Sequence, residues 1–313
     1  MKNFALVGVG GYIAPRHLEA ISKTGNRLIA ACDPNDSVGV LDRYFLDASF
    51  FTEFERFDRH LEKNRRRAED VRLDYLSICS PNYLHDAHAR LALRLGADAI
   101  CEKPLVINPW NLDQLADLEQ ETGSRVYTVL QLRLLPSLIA LREAARTTEK
   151  KADVVLTYVT RRGPWYSVSW KGIEDKSGGL PTNLGIHFFD LLQWIFGRPT
   201  HCEVHANQPD RWSGFLELER ANVRWLLSTR VDDLPAETVA AGQPAHRSIT
   251  IDGEDLEFSP GFTDLHTLVY QDILDGGGYG IEDARPSIEL AHRIRTTPLS
   301  RPDAPAHPAL VSS

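Results

Sequence analysis

Short, almost unbroken apolar runs alternate with amphipathic stretches through the first 125 or so residues. "FALVGV", "RLIAACD", "YLSICSP", "DAICEKPL" and "RVYTVLQL" have the continuous apolar character of strands buried on both faces. Between them, "PRHLEAISKTG", "LHDAHARLALRLG" and "NLDQLADLEQETG" place apolar residues at helical spacing, and the first ends on Gly25, a residue suited to closing a helix. Strands alternating with helices predict a parallel sheet covered on both faces and wound through right-handed crossovers.

The pattern then changes. After a helix near "PSLIALREAAR", the stretches "ADVVLTYVTRR", "HCEVHANQ", "GFLELERANVRWLLSTRV" and "HRSITIDGEDLEFS" alternate apolar and polar positions more strictly. That alternation predicts an antiparallel sheet with one face partly open. "FTDLHTLVYQDILDGG" and "IEDARPSIELAHRIR" are amphipathic helices, and the Pro- and Ala-rich "TTPLSRPDAPAHPALVSS" is expected to be loosely attached. The expected architecture is α/β. A doubly wound Rossmann domain spans 1–125, an α+β domain with a mostly antiparallel, open-faced sheet spans 126–295, and a loosely ordered tail spans 296–313. No internal repeat is visible.

Composition narrows the class. The 313 residues are 42% hydrophobic and 25% charged, as in a soluble globular protein. A net charge of -8 argues against nucleic acid or an anionic membrane as partner. The basic run "EKNRRRAED" is bracketed by acids and reads as a solvated helix face. Cys32, Cys79, Cys101 and Cys202 lack metal-site spacing, so buried thiols are expected rather than disulfides or zinc. With no signal segment and no apolar run of membrane length, a reducing, cytoplasmic setting is expected.

The first turn raises the question of chemistry. Gly8, Gly10 and Gly11 stand between a strand and a helix, where backbone N–H groups and the helix N-terminus suit a pyrophosphate. The third glycine of the usual dinucleotide spacing is missing, and a plain strand-to-helix turn would carry much the same residues. Asp33 decides the matter in part, because it ends the second strand where a carboxylate accepts bonds from the adenosine ribose hydroxyls. "DPND" follows it without an arginine, which favours NAD over NADP. "SPNYLHD" and "CEKP" then fall just past strand ends, the edge at which doubly wound sheets bind ligands.

These signals in order, with Pro81, Asn82 and His85, Glu102-Lys103-Pro104, and the downstream Gly185-Ile186-His187-Phe188-Phe189-Asp190, resemble the glucose–fructose oxidoreductase, inositol dehydrogenase and MocA family of sugar oxidoreductases. The likeness covers about residues 3 to 295. It implies NAD held by Gly8, Gly10, Gly11, Tyr12, Ile13, Asp33, Ser80, Pro81, Asn82, His85, Glu102, Lys103 and Gln131. It also implies that Lys103 and His187 share activation of an alcohol. Lysine buried beside a cationic nicotinamide becomes a usable base, and histidine titrates near neutrality unaided. Each residue alone has a bland reading, an exposed loop lysine and a satisfied helix histidine. Many members carry an aspartate four residues before this histidine, where this chain has Asn183. A neutral amide there suits an anionic substrate. His85 and His88 lack the added carboxylates of a metal site, and no metal is expected.

The extra residue Tyr12 in "GVGGYIAPRH", with "DASFFTEFERFDRH", "NPWNLD" and "TVLQLRLLP", is similar to the branch that oxidises the 3-hydroxyl of UDP-N-acetylglucosaminuronate. Such a polyanion needs a local cationic cluster, and "TRRGPWYSVSWKGIEDKSGG" supplies Arg161, Arg162, Lys171 and Lys176 beside Trp165, Tyr166 and Trp170. The branch implies Arg162, Tyr166, Trp170, Lys171, Ser177, Asn183 and His187 as substrate contacts, together with Lys103. It further implies homotetramers, re-oxidation of NADH by 2-oxoglutarate, a place in O-antigen synthesis, and Gln131 and Arg133 near the nicotinamide or a neighbouring subunit. Two other readings stand beside it, a dehydrogenase of an uncharged sugar or cyclitol and an NAD-binding regulator without chemistry.

Overall fold

A computed structural model describes residues 1–67, 69–256, 264–301 and 303–311. The chain forms two compact units, Met1–Leu134 with Phe262–Arg285, and Leu135–Gly261 with Pro286–Ser313. In the first unit the chain runs β1 (Asn3–Val7), α1 (Ala14–Lys23), β2 (Arg27–Cys32), β3 (Ser49–Phe51), α2 (Phe54–Arg67), β4 (Tyr75–Ile78), α3 (His85–Arg94), β5 (Asp98–Cys101), α4 (Trp110–Thr122) and β6 (Val126–Thr128). The strands pair in the order β3-β2-β1-β4-β5-β6, all parallel. This is the doubly wound order that the alternating pattern predicts. β1 is buried along its whole length, which is why it reads as one apolar run. On α1 the residues Ala14, His17, Leu18 and Ile21 are buried at helical spacing, and Gly25 past its end takes a left-handed φ of 71°. The pattern did not reveal β3. It has only three residues, all half-buried, and so carries little periodic signal.

The second unit opens with α5 (Pro136–Thr147) and β7 (Ala152–Thr160), and later holds α6 (Ile186–Phe196), β8 (Pro199–Gln208), β9 (Arg211–Leu218), β10 (Ala221–Ser228), β11 (Ala245–Ile251) and β12 (Glu254–Asp255). Its sheet has the order β12-β11-β7-β10-β9-β8, with β7 and β10 parallel and every other pair antiparallel. "GFLELERANVRWLLSTRV" divides into most of β9 and all of β10 at Glu219-Arg220, a turn with no glycine or proline to announce it. The β11–β12 turn is announced, by Asp252 and Gly253 at φ 52° and 89°, the pair a two-residue hairpin favours. Trp225 and Phe189 lie fully buried edge to face in this core, 5.5 Å between ring centres. Fully burying such a side chain contributes about 1.5–3 kcal/mol.

Two later helices, α7 (Leu265–Leu274) and α8 (Ile281–Thr296), complete the elements that bear on the site. α7 joins the first unit, where Val269, Tyr270 and Ile273 enter the core around Phe4, Leu6 and Leu18. A division at residue 125 assigns this helix to the wrong unit, because its apolar face says only that it packs and not on what. The predicted strand end at 257–259 and helix start at 262–263 lie outside the described residues. The stretch expected to be loose is pinned. Leu299 bridges Val204 in parallel, the Asp303 and Ala304 N–H groups donate to Glu203, and His307, 2% exposed, bonds Thr157. Proline and alanine deny this tail a strand of its own, but the second unit supplies partners for its backbone. No helix among the described residues is long and apolar enough to cross a membrane.

Candidate active site

In the first unit the residues singled out as cofactor contacts come from the carboxyl ends of successive parallel strands. Gly8 follows β1 with φ 87°, and a Cβ there would lie 2.6 Å from the Cys79 carbonyl carbon and the Ser80 nitrogen. The turn therefore lies against the end of β4, which only glycine permits. Gly10 donates its N–H to Asp33 Oδ2 at 2.9 Å, and Asn35 N–H reaches Oδ1 at 2.9 Å. Each carboxylate oxygen keeps a lone pair for a further donor. No side chain caps α1; in its first turn the Ala14 and Arg16 N–H groups bond the Gly11 and Ile13 carbonyls at 3.2 and 3.0 Å. Tyr12 is exposed and Ile13 half-buried beside this turn. Past β6, the Gln131 Oε1 is buried and has no hydrogen-bond partner among the described residues. A glycine cradle closed to side chains, a carboxylate at the ribose position and an orphaned polar atom all fit a dinucleotide.

Glu102 and Lys103 follow β5. Glu102 is 7% exposed, and its Oε1 accepts from His17 Nε2 at 2.9 Å and His266 Nε2 at 3.0 Å. His17 Nδ1 meets Tyr270 Oη at 2.8 Å, and Tyr270 Oη meets Ser77 Oγ at 2.6 Å. The two histidine donors hold the Glu102 carboxyl well below the usual range against the cost of burial, while burial lowers His17. These three ligand-type groups are the metal-like cluster among the described residues. Their distances are those of hydrogen bonds already made. His17, His266 and Tyr270 escaped the reading of the sequence, since a histidine on an apolar helix face looks like any core position. After β4, Ser80 Oγ contacts His88 Nδ1 at 2.8 Å, and Asn82 is buried beside Pro81. His85 places Nδ1 2.7 Å from the Pro104 carbonyl and Nε2 2.8 Å from that of Ser80. Both ring nitrogens of His85 are thus engaged within the unit.

In the second unit, contacts link Arg162, Tyr166 and Asn183, and Lys171 with Trp170, among the predicted sugar-acid contacts. Asn183 Nδ2 donates to Tyr166 Oη at 2.9 Å, and the Arg162 guanidinium stands 5.9 Å from the Tyr166 ring centre. Lys171 Nζ lies 4.5 Å from the Trp170 ring and 5.7 Å from the Trp165 ring. Burial, and then Arg162, lower the Lys171 ammonium. A cation held down in this way gains from an arriving anion. Arg161 and Arg162 are exposed, whereas Ser177 is fully buried with its hydroxyl donating to the Ile173 carbonyl. His187 is half-buried at the start of α6, directly after the wider π-type turn Pro181–Gly185. Such turns recur at functional sites. A Cβ at Gly185 would come 2.6 Å from Phe189 and 2.7 Å from Leu227, so this turn too is closed to side chains.

With the fold and both clusters in view, comparison with known proteins defines the class. Residues 2–130 match the oxidoreductase family's NAD-binding Rossmann fold, and residues 150–235 match its C-terminal alpha/beta domain. The chain belongs to this family, the glucose–fructose oxidoreductase, inositol dehydrogenase and MocA oxidoreductases. It is similar to the WlbA (WbpB) dehydrogenase from Thermus thermophilus in complex with NAD and alpha-ketoglutarate, at 54% identity and a TM-score of 0.94, covering 98% of this chain and 99% of that one. The same dehydrogenase in complex with NAD and UDP-GlcNAcA gives 53% identity and a TM-score of 0.93, over the same shares. A D-glucoside 3-dehydrogenase of Escherichia coli (strain K12) is 26% identical over 140 residues. That match covers 44% of this chain and 40% of the relative, so the chain spans less than half of that curated protein.

Proposed function

We propose that this chain is an NAD-dependent dehydrogenase that oxidises the 3-hydroxyl of UDP-N-acetylglucosaminuronate to the 3-keto sugar. The observation that carries this reading is the full-length likeness, at 53% identity, to a dehydrogenase in complex with NAD and UDP-GlcNAcA. The cationic and aromatic cluster of Arg162, Tyr166, Trp170 and Lys171 supports it, because a chain of net charge -8 needs such a patch to hold a polyanion.

Oxidation takes a proton from the hydroxyl oxygen and a hydride from the carbon, and bound NAD supplies the hydride acceptor. In this reading Lys103 and His187 take and relay the proton. Asn183 keeps the position before His187 neutral, so no carboxylate repels the sugar acid. Arg162 and Lys171 bind its anionic groups, and Tyr166 is oriented by Asn183. The likeness to a complex with alpha-ketoglutarate supports 2-oxoglutarate as the acceptor that restores NAD, taking up the hydride and a proton to become 2-hydroxyglutarate. A homotetramer working in the cytoplasm, on the route to O-antigen polysaccharide, completes the reading.

The test supplies purified protein and NAD with UDP-N-acetylglucosaminuronate, UDP-N-acetylglucosamine, myo-inositol and free hexoses in turn. The uronate alone is expected to give a 3-keto product by mass spectrometry and NMR. Turnover of inositol or a hexose with none of the uronate would overturn the assignment, and light scattering of the same sample checks the tetramer.

A further inference from the structure

Lys103 stands between two residues that the first unit grips separately. Ahead of it, Glu102 Oε1 receives two N–H groups, from His17 and His266. An oxygen facing two donors is an acceptor only, so the carboxyl is ionised. His17 then carries its proton on Nε2, its Nδ1 accepts from the Tyr270 hydroxyl, and that hydroxyl accepts from Ser77. Every donor in this chain has one direction. The other carboxylate oxygen, Oε2, accepts the Lys103 backbone N–H at 3.3 Å. Behind Lys103, the Pro104 carbonyl lies 2.7 Å from His85 Nδ1, while His85 Nε2 lies 2.8 Å from the Ser80 carbonyl. Carbonyl oxygens never donate, so both contacts are hydrogen bonds only if the ring carries both protons. Burial, the largest influence, and Lys103 lower the His85 ring from its ordinary value, although the Pro104 and Ser80 carbonyls and the Glu102 carboxylate pull it up; the two carbonyl contacts argue the other way, for the charged ring. A bare nitrogen lone pair aimed at a carbonyl oxygen inside the fold would be worse than either.

We propose that His85, as an imidazolium, and Glu102, as a carboxylate, are positioning residues that fix Lys103 from its two sides. His85 clasps the loops after β4 and β5 to each other. Glu102 ties the end of β5 to α1 and α7. Neither is assigned to the reacting atoms. The inference rests on the reading of Lys103 as the residue that handles the proton.

The experiment uses the full chain loaded with NAD and compares Glu102→Gln, His85→Phe and His85→Gln. The glutamine at 102 keeps the shape, but its amide opposes donors that a carboxylate accepts. Phenylalanine at 85 keeps a ring without donors, and glutamine there restores donors. Hydrogen exchange of the segment 101–107 is expected to quicken about ten-fold or more in Glu102→Gln and His85→Phe, with the second unit unchanged. Turnover at saturating NAD is expected to fall about ten-fold or more in the same two variants, with KM for the sugar held within about three-fold and partial recovery in His85→Gln. Long-range 1H–15N spectra of histidine-labelled protein are expected to show both nitrogens of His85 protonated from pH 6 to 8. Unaltered exchange at 101–107, a bare nitrogen on His85, or one bound zinc per chain taking the protons of His17 and His266 would each overturn the proposal. Absence of wild-type turnover on the sugar acid would instead sink the functional reading, and exchange and spectra would still decide the clasp.

Discussion

At Gly8 a single methyl group meets two obstacles at once, a left-handed φ of 87° and backbone atoms 2.6 Å from the new carbon. The conformation alone costs about 1–2 kcal/mol for any other residue. Gly8→Ala is therefore expected to weaken NAD binding about ten-fold or more and to lower the melting temperature, as calorimetry with and without NAD would show. His88 gives a second residue-level expectation. Burial holds it down to about 4 from an ordinary 6.5, and it is bonded to Ser80. Below pH 6.5 the unfolded chain binds this proton and the folded chain refuses it, so stability is lost as pH falls from 6.5 toward 4. The loss is on the order of 3 kcal/mol, and denaturant melts between pH 7 and 4.5 should have a shallower pH slope in His88→Gln. The sequence marked Gly8, Asp33, Lys103 and His187 because each stands at a strand end or in an ordered motif. It could not mark His266 or Tyr270, which reach Glu102 and Ser77 across more than 160 intervening positions.

Among the elements, the parallel strands and the helices between them were legible because burial on both faces leaves no polar interruption in a strand. The β9–β10 turn was hidden by Glu219-Arg220, residues that signal solvent but no particular turn. The tail from Thr296 was misjudged for a different reason, since its order comes from Glu203, Thr157 and Arg211 and not from its own residues. His307 is the buried anchor, accepting the Ala309 N–H on Nδ1 and contacting Thr157 through Nε2. His307→Ala removes both of these buried bonds and is expected to cost about 1–3 kcal/mol in denaturant unfolding. Gly214 in β9 has no room for any side chain, with a Cβ 2.1 Å from the Glu203 carbonyl oxygen and 2.7 Å from Trp225. Gly214→Val is expected to prevent folding of the second unit, seen as loss of its protected amides in hydrogen exchange. A valine variant with wild-type protection would refute that placement of the strands.

For the molecule as a whole, a net charge of -8 opposes a nucleotide sugar acid everywhere except at a local cationic patch. Arg162→Ala is expected to raise KM for UDP-N-acetylglucosaminuronate about ten-fold or more while leaving NAD affinity unchanged, because a charge-assisted contact is worth about 1.5–3 kcal/mol. Added salt should weaken sugar binding more in the wild type than in this variant. The central claim is that the first unit's Lys103 works on the 3-hydroxyl of this sugar acid. It is tested most directly by product analysis of wild type and Lys103→Ala incubated with NAD, UDP-N-acetylglucosaminuronate and 2-oxoglutarate. The account predicts equal amounts of 3-keto sugar and 2-hydroxyglutarate from the wild type, and a variant that still binds NAD but turns over about a hundred-fold slower or worse. Equal product from the two proteins, or none from the wild type, would contradict it.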